Sequence, residues 1–372
     1  MWSYHHPVRI RWCHELAEGL GGILPPGRGL LLASRRFLET RTARQCATLL
    51  GDPVVYTDSA ANPSPRDMQH AIDSVRDSSF AWVVAIGGGS VIDTAKAVRL
   101  ALATRCWDVG ELITSSASSP RRLEPPLVAV PTTHGTGAEL TPWGTIWDKE
   151  AGRKLSLNAP GNFPDHAIYC PALTSTLPLP VSVATTLDAF SHALEALWNR
   201  NANPIADEMA IAAVRLIHRH LSELTSETSA ECRGALLQAS LFAGLAFSST
   251  RTAAAHSISY PLTARFDIPH GIACSLPLAA LWEINAPSMG EKASRLLEAV
   301  GVPTAEVLFR DIHRRVAGKV PFSLADYGVG SADIERLSRE SFTEGRMENN
   351  LVDLDEEDVR SILRTMLSRV TE

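Results

Sequence analysis

The 372-residue chain has no block of like charge, no C-x-x-C pair and no apolar run long enough to span a bilayer. Each absence closes off a class of function. The formal net charge is −6, from 35 Lys and Arg against 41 Asp and Glu, and Arg35-Arg36 and Arg121-Arg122 are isolated pairs. A nucleic-acid surface needs a basic field, so no nucleic-acid partner is expected. The six cysteines (Cys13, Cys46, Cys106, Cys170, Cys232 and Cys274) are scattered, which argues against a zinc knuckle or a thioredoxin-type centre. It fits the reduced thiols of a cytoplasmic protein. The opening Met-Trp-Ser-Tyr-His-His-Pro lacks the charged-then-apolar pattern of a secretory signal. The expectation is a soluble cytoplasmic protein with no membrane partner. Hydrophobic residues at 45% and charged residues at 20% describe an ordinary globular composition. The length suggests two or three domains, enough to bury a full core.

Two patterns divide the chain. In the first half, short apolar runs alternate with helical stretches. Gly29–Ser34, Pro53–Tyr56, Phe80–Ile86 and Leu127–Pro131 read as buried strands, and Arg41–Leu50, 66–77 and Val91–Ala103 read as helices. That alternation predicts an α/β domain with a mostly parallel sheet. Beyond about Pro178 the stretches 206–224 and 230–246 repeat apolar residues at helical spacing. Glu291–Val300 stops at Gly301, a C-terminal cap, and a last helix opens at Asp355 with acids at its positive end. The expected division is an α/β domain over 1–178 and an all-α domain over 179–372.

The helical half carries a ligand set. Asp188 and His192 stand at i and i+4 of a helical stretch, so they share one face, and His256 and His270 follow. One carboxylate with three imidazoles suits a divalent first-row metal, Fe(II) or Zn(II). Any one of these histidines alone reads equally well as a hydrogen-bonded core or surface residue. The α/β half carries Gly87-Gly88-Gly89-Ser90 where a buried strand meets a helix. Glycines there let a backbone approach a diphosphate, and the helix start offers free N–H groups. This is not the Rossmann fingerprint, because Ile92 stands where the third glycine belongs, and no Gly-Lys-Ser/Thr follows to make a Walker A loop. A second polar loop, Pro131-Thr132-Thr133-His134-Gly135-Thr136-Gly137-Ala-Glu139, follows the next strand.

The stretch Gly87-Gly-Gly-Ser-Val-Ile-Asp93-Thr-Ala-Lys96-Ala resembles the nucleotide signature of the iron-dependent (group III) alcohol dehydrogenases. Pro131 to Glu139 resembles their second signature, with His134 in the place of an alanine. Asp188-Ala-Phe-Ser-His192-Ala-Leu-Glu195 and the stretch from His256 through Pro269-His270-Gly271 match their metal motifs in order and spacing. The resemblance runs from Pro7-Val-Arg-Ile to the final helix. It implies the dehydroquinate synthase-like fold, an α/β nucleotide-binding domain followed by an all-α metal-binding and catalytic domain. It also implies Asp188, His192, His256 and His270 as metal ligands, His256 and His270 acting in catalysis. Gly88, Gly89 and Ser90 are implied to hold the cofactor diphosphate, with Asp93 nearby, while Thr132, Thr133, Thr136 and Lys154 line the rest of the nicotinamide nucleotide site. A homodimer is expected from the family alone.

Two departures from the family pattern matter. Tyr260 replaces a histidine often assigned to proton relay, four residues after the third ligand; its phenol either relays a proton or packs. Ser34-Arg35-Arg36 stand where NAD-using members carry an acid for the ribose hydroxyl. A carboxylate repels a 2′-phosphate whereas Ser and Arg bind one, so NADP(H) is expected over NAD(H). The alternative is a solvated helix start.

Subgroup features extend the resemblance. His256-Ser-Ile-Ser-Tyr260-Pro-Leu-Thr-Ala and Thr141-Pro-Trp-Gly-Thr-Ile-Trp-Asp148 are similar to phosphonoacetaldehyde reductases of phosphonate natural-product biosynthesis. The implied reaction reduces phosphonoacetaldehyde to 2-hydroxyethylphosphonate. A dianionic substrate needs fixed cations beyond the metal, and Arg251, Arg265 and His134 are the candidates. A general short-chain aldehyde reductase is the alternative. A metal-dependent lyase of the 3-dehydroquinate synthase type, whose ligand pattern leans on Glu, is a third reading.

Overall fold

A computed structural model of the protein describes residues 2–368. Its strands are β1 (Arg9–Trp12), β2 (Gly29–Ala33), β3 (Val54–Tyr56), β4 (Trp82–Gly87), β5 (Leu127–Pro131), β6 (Trp143–Asp148), β7 (Arg153–Asn158) and β8 (His166–Tyr169). Six of them form one all-parallel sheet in the order β1-β8-β5-β4-β2-β3, and β6 pairs antiparallel with β7.

The central strands β2, β4 and β5 are buried at every position, as a parallel sheet covered on both faces requires. Alternate residues go to opposite faces. Leu31, Ala33, Val84, Ile86, Val128 and Val130 build one core layer, and Leu30, Leu32, Val83, Ala85, Leu127 and Ala129 build the other. The β2–β4 register pairs Gly29 with Trp82, and a Cβ on Gly29 would sit 2.1 Å from the Trp82 indole. Glycine is the residue that lets the indole lie across its neighbour. Between β2 and β4 the winding reverses: β2 leads outward to β3, whereas β4 leads to β5 on its other side. The carboxyl ends of such a strand pair form the crevice where doubly wound sheets take their ligands.

The sequence pattern captured β2 to β5 and missed four strands. In β1 all four residues, Arg-Ile-Arg-Trp, are exposed at the sheet edge, so no burial pattern marks it. Strand β8 has four residues, too few to show a period. In the β6–β7 hairpin, β6 mixes buried and half-buried positions and β7 buries only Leu157, so no clean period marks either strand.

The chain separates into two compact units. One is Pro7–Thr176; the other begins at Leu177 and also takes in the chain's first residues, through His6. Tyr4 belongs to the latter, its hydroxyl donating to the Leu245 carbonyl at 3.4 Å. At the centre of the helical unit lies the 19-residue helix Leu179–Leu197, buried at every position from Thr186 to Leu197. A helix buried along its whole second half has to be surrounded by other elements. It packs against Pro204–His220, Ala230–Thr250 and His270–Ser275. Gly301 ends the helix Glu291–Val300 in the left-handed conformation at φ +80°, as the sequence indicated. Among the described residues no helix is long and apolar enough to cross a membrane, and all six cysteines are free.

Arg99 is 1% exposed and ties the α/β unit together. It donates to the carbonyls of Leu123, Pro125 and Phe163 and to Asp165 Oδ2 at 2.7–2.9 Å. Asp165 in turn accepts from the Leu127 amide at the start of β5. Arg99→Ala strands these acceptors, and a loss of about 2–4 kcal/mol in urea unfolding is expected. A change below about 0.5 kcal/mol would show the cluster to be dispensable.

Candidate active site

The central helix places Asp188, His192 and Glu195 on one face, at i, i+4 and i+7. Two neighbours bring further imidazoles: Ala254–Phe266 carries His256, and the short helix His270–Ser275 opens with His270. That short helix comes unusually close. A Cβ on Gly271 would lie 1.9 Å from the Ala184 carbonyl oxygen and 2.8 Å from Asp188 Cβ, so glycine at 271 is what admits His270 to the Asp188 face.

Donor atoms of Asp188, His256, His270 and Cys274 all lie within 4.8 Å of one another. His256 Nε2 is 3.5 Å and His192 Nε2 is 3.8 Å from Asp188 Oδ1. The His192 ring is stacked between Phe247, at 3.9 Å between centroids, and His256, at 4.6 Å. Glu195, with no exposed surface, fixes His256. Its Oε2 accepts from Nδ1 at 2.5 Å, and its Oε1 accepts from the amides of Ala255 at 2.6 Å and His256 at 3.2 Å. A proton on Nδ1 leaves the Nε2 lone pair facing Asp188, the arrangement that prepares an imidazole for a metal.

Electrostatics agree with that role. Burial works to raise the Asp188 carboxyl, but His192, His256 and His270 outweigh it and hold the group below the ordinary carboxylate range. Burial opposes a charge on His256, yet Cys274, Glu195 and Asp188 raise it well above the usual imidazole value. A buried pocket that draws in protons this strongly is one where a cation is welcome. Asp188 Oδ1 and His256 Nε2 are moreover buried polar atoms with no hydrogen-bond partner. Such atoms are costly unless something satisfies them. A divalent cation fits this donor set.

In the α/β unit the turn after β4 leads straight into the 16-residue helix Gly89–Thr104, with Gly88 as its N-cap. The amide of Thr132 donates to the Gly87 carbonyl at 3.0 Å, tying the two polar loops together. A Cβ on Gly88 would be 3.1 Å from Thr133 Cγ2, and one on Gly89 3.0 Å from Thr136. The bare glycines therefore let the threonine loop close onto the helix start. Thr133 Oγ1, like Asp188 Oδ1 and His256 Nε2, is buried without a hydrogen-bond partner. Ser90 Oγ accepts from the Asn62 amide at 3.2 Å.

Behind the loops lies a buried ionic cluster. Asp93 accepts from the Thr145 amide and stands 3.7 Å from Lys96, whose Nζ donates to the Trp143 carbonyl at 2.6 Å. Burial pulls Lys96 down to about 8 against Asp93 and Glu139, and it raises Asp93 despite Lys96. Both groups join the helix to the β6–β7 hairpin, so Asp93 braces the helix that the glycine turn opens. Tyr169 donates to Glu139 at 2.7 Å beside them.

The iron-containing alcohol dehydrogenase model matches residues 9–171, and the C-terminal model of the Fe-containing alcohol dehydrogenase family matches 182–367. The chain belongs to the iron-containing alcohol dehydrogenase family. It is an oxidoreductase of the alcohol dehydrogenase type. It is 34% identical over 269 residues to EutG, a probable alcohol dehydrogenase of Escherichia coli (strain K12), covering 72% of this chain and 66% of that one. It is 33% identical over 294 residues to the phosphonoacetaldehyde reductase of Streptomyces viridochromogenes, covering 75% and 74%. Among solved structures, the sulfoacetaldehyde reductase of Bifidobacterium kashiwanohense, in complex with NAD+, superposes with a TM-score of 0.89 at 26% identity over the whole of both chains.

For this family member the residues expected from sequence fall into distinct groups. Asp188, His256 and His270 come together, with His192 against Asp188. Tyr260, 3% exposed, stacks on His270 at 5.9 Å. Gly88, Gly89, Ser90, Thr132, Thr133 and Thr136 converge at the helix start, and Lys154 lies on β7 opposite Trp147. Ser34 instead caps a short helix, its Oγ accepting from the Phe37 amide at 3.2 Å. Arg35 pairs with Asp58 at 2.9 Å, and Arg36 donates to the Thr176 carbonyl. Arg265 is bound by both oxygens of Glu340 at 2.5 and 2.6 Å, and His134 has no exposed surface. Two residues at the centre were given no role from sequence. Glu195 sits seven residues beyond Asp188 and Cys274 four beyond His270, both at helical spacing, which was the available signal.

Glu195→Gln keeps the shape and the acceptor for the Ala255 amide but removes the charge behind His256. A 10- to 100-fold weaker metal affinity is expected, read by competition with a chromophoric chelator. Unchanged affinity would reduce Glu195 to a packing residue.

Proposed function

We propose that the protein reduces an aldehyde to a primary alcohol with a nicotinamide dinucleotide and one divalent metal, Fe(II) or Zn(II), and that its substrate is phosphonoacetaldehyde. The observation that carries it is the buried Asp188 Oδ1 and His256 Nε2, neither with a hydrogen-bond partner, beside His192 and His270. When bound, the metal supplies positive charge to a carbonyl oxygen and the nicotinamide supplies the hydride.

The chain's own residues supply the rest. Asp188, His192, His256 and His270 hold the metal, and Glu195 keeps His256 in the tautomer that presents Nε2. Gly88, Gly89 and Ser90 offer the helix start to the cofactor diphosphate, with Thr132, Thr133, Thr136 and Lys154 along the remainder. Tyr260, stacked on His270, has its Oη as the group that passes a proton to the developing alcohol. The NADP(H) preference rests on Arg35. Its pair with Asp58 is open to water, the side chains being 77% and 51% exposed, and an exposed pair of this kind is worth only about 0–1 kcal/mol. A 2′-phosphate dianion can displace the Asp58 carboxylate from it. Arg35→Ala with Arg36→Ala is expected to weaken NADPH and leave NADH unchanged, measured as the ratio of the two KM values. An unaltered ratio removes the 2′-phosphate argument.

Support for the substrate comes from two relatives, whose names specify phosphonoacetaldehyde and sulfoacetaldehyde. Both are two-carbon aldehydes with a tetrahedral anionic group. Of the three cationic candidates, Arg265 is tied to Glu340 and His134 is buried in the α/β unit; Arg251 is the one nearest in sequence to His256. It stands at a left-handed φ of +69°, only five residues before His256. Burial and the like charge of Arg346 both oppose its charge, and a dianionic group beside it would relieve that. The deciding assay compares kcat/KM for phosphonoacetaldehyde and propanal with metal-loaded protein. A strong preference for phosphonoacetaldehyde is expected, falling about 10- to 100-fold in Arg251→Ala as a charge-assisted contact is lost. Equal or better use of propanal leaves a general short-chain aldehyde reductase and removes the phosphonate.

A further inference from the structure

Two thiols meet at the edge of the parallel sheet. The register that pairs Trp12 with Tyr169 brings Cys13 opposite Cys170 one step beyond β1 and β8, and the Cys13 amide donates to the Tyr169 carbonyl at 3.0 Å. Residues in register on neighbouring parallel strands project to the same face. Trp12 and Tyr169 show this one position earlier, their rings stacked at 6.1 Å between centroids. Cys13 and Cys170 enter the apolar layer on the opposite face. Their side chains are in direct contact, and each leans toward the other strand. Cys13 Sγ donates to the Tyr169 carbonyl at 3.7 Å, and Cys170 Sγ donates to the His14 carbonyl at 3.3 Å. Adjacent strands lie about 4.8 Å apart, inside the Cα separation of about 4.4–6.8 Å that a disulfide spans.

A bond at this place would have a structural consequence. Strand β1 is the edge of the sheet; all four of its residues are exposed, and β8 is its neighbour in the sheet. Residues 13 and 170 stand near the two ends of the unit Pro7–Thr176, so joining them closes nearly the whole unit into one loop. The other thiols are placed differently. Cys106 follows the helix Gly89–Thr104. Cys232 is grouped with His220 and Glu223, and Cys274 with Asp188, His256 and His270. Cys46 is the rival partner, since it shares the apolar layer and lies close enough to Cys13 for their charges to oppose each other. It is carried by the helix Arg41–Leu50, however, with no strand register to hold it opposite Cys13.

We propose that Cys13 and Cys170 are an oxidisable pair, which hydrogen peroxide closes into an intramolecular disulfide that pins the edge strand β1 to β8. The Cys13 sulfur, at 8% exposure against 1% for Cys170, attacks a peroxide oxygen. An S–O bond forms, the O–O bond breaks and one water leaves. The Cys170 sulfur then attacks the sulfenic sulfur of Cys13. The S–S bond forms, the S–O bond breaks, and the hydroxyl departs as a second water with the Cys170 proton. Each sulfur gives up one electron, and the peroxide takes both. Burial pushes Cys170 up to about 12 and also raises Cys13, so the reactive thiolate is scarce at neutral pH and the bond forms slowly.

The zinc-loaded full chain is the material to test, because peroxide then meets no redox-active ion. After prolonged incubation with hydrogen peroxide, alkylation in denaturant and tryptic digestion without reduction, the peptides of Cys13 and Cys170 should appear joined, two hydrogens lighter than their sum. Dithiothreitol should separate them. The oxidised chain should melt about 5–15 °C higher than the reduced one, because the closed loop restricts the unfolded chain. Cys46→Ser should keep both the link and the shift, whereas Cys170→Ser should lose both. The peptide map of the unmutated chain decides the matter if Cys170→Ser does not fold. A bond from Cys13 to Cys46, a bond between chains, or Cys13 and Cys170 that both remain open to alkylation overturns the proposal. A Cys13–Cys170 bond that leaves the melting temperature unchanged overturns the pinning of β1.

Discussion

The short bond between Glu195 and His256 is the constraint on which the metal unit depends. A carboxylate with no exposed surface is expensive to bury unless its lone pairs are met. Glu195 meets that requirement with three N–H donors, two of them main-chain amides at the start of the His256 helix. One side chain thereby fixes where that helix begins and which nitrogen of His256 carries the proton. The central helix can hold Glu195, Asp188 and His192 on one face because the helices packed around it bury that face and supply its partners. Gly271 completes the arrangement by letting the His270 helix approach closer than any residue with a Cβ could.

The α/β unit solves a different problem with similar means. A diphosphate needs open backbone amides, so the strand-to-helix turn must carry no side chains. Such a turn has little to hold it in place. Here the threonine loop closes onto the glycines, and the buried Asp93–Lys96 pair fastens the same helix to the β6–β7 hairpin from the other side. The pair fixes the helix in place, and burial shifts both groups toward their neutral forms.

Much of this was legible in the sequence wherever a single periodicity governed the residues. Strands β2, β4 and β5 are buried on both faces and stand out as apolar runs, and the long helices repeat at their own spacing. Strand β1 is exposed and charged, and β8 has only four residues, so neither leaves a pattern. The site divides in the same way. Asp188 with His192 and the glycine turn announce themselves within a few residues. The role of Glu195 depends on His256, 61 positions away, and that of Arg35 on Asp58, 23 positions away. Residue type at one position cannot disclose a partner supplied by another element, which is why the sequence offered Arg35 and Arg265 as free cations and the folded chain gives each a carboxylate.

The central claim is that one divalent metal is held at Asp188, His192, His256 and His270. Anomalous diffraction from crystals of the metal-loaded protein, recorded on either side of the metal's absorption edge, tests it most directly. The account predicts a single strong peak between Asp188 Oδ1 and His256 Nε2. A peak at His220, Glu223 and Cys232 with none at Asp188, or no peak at all in protein that carries metal, would contradict it.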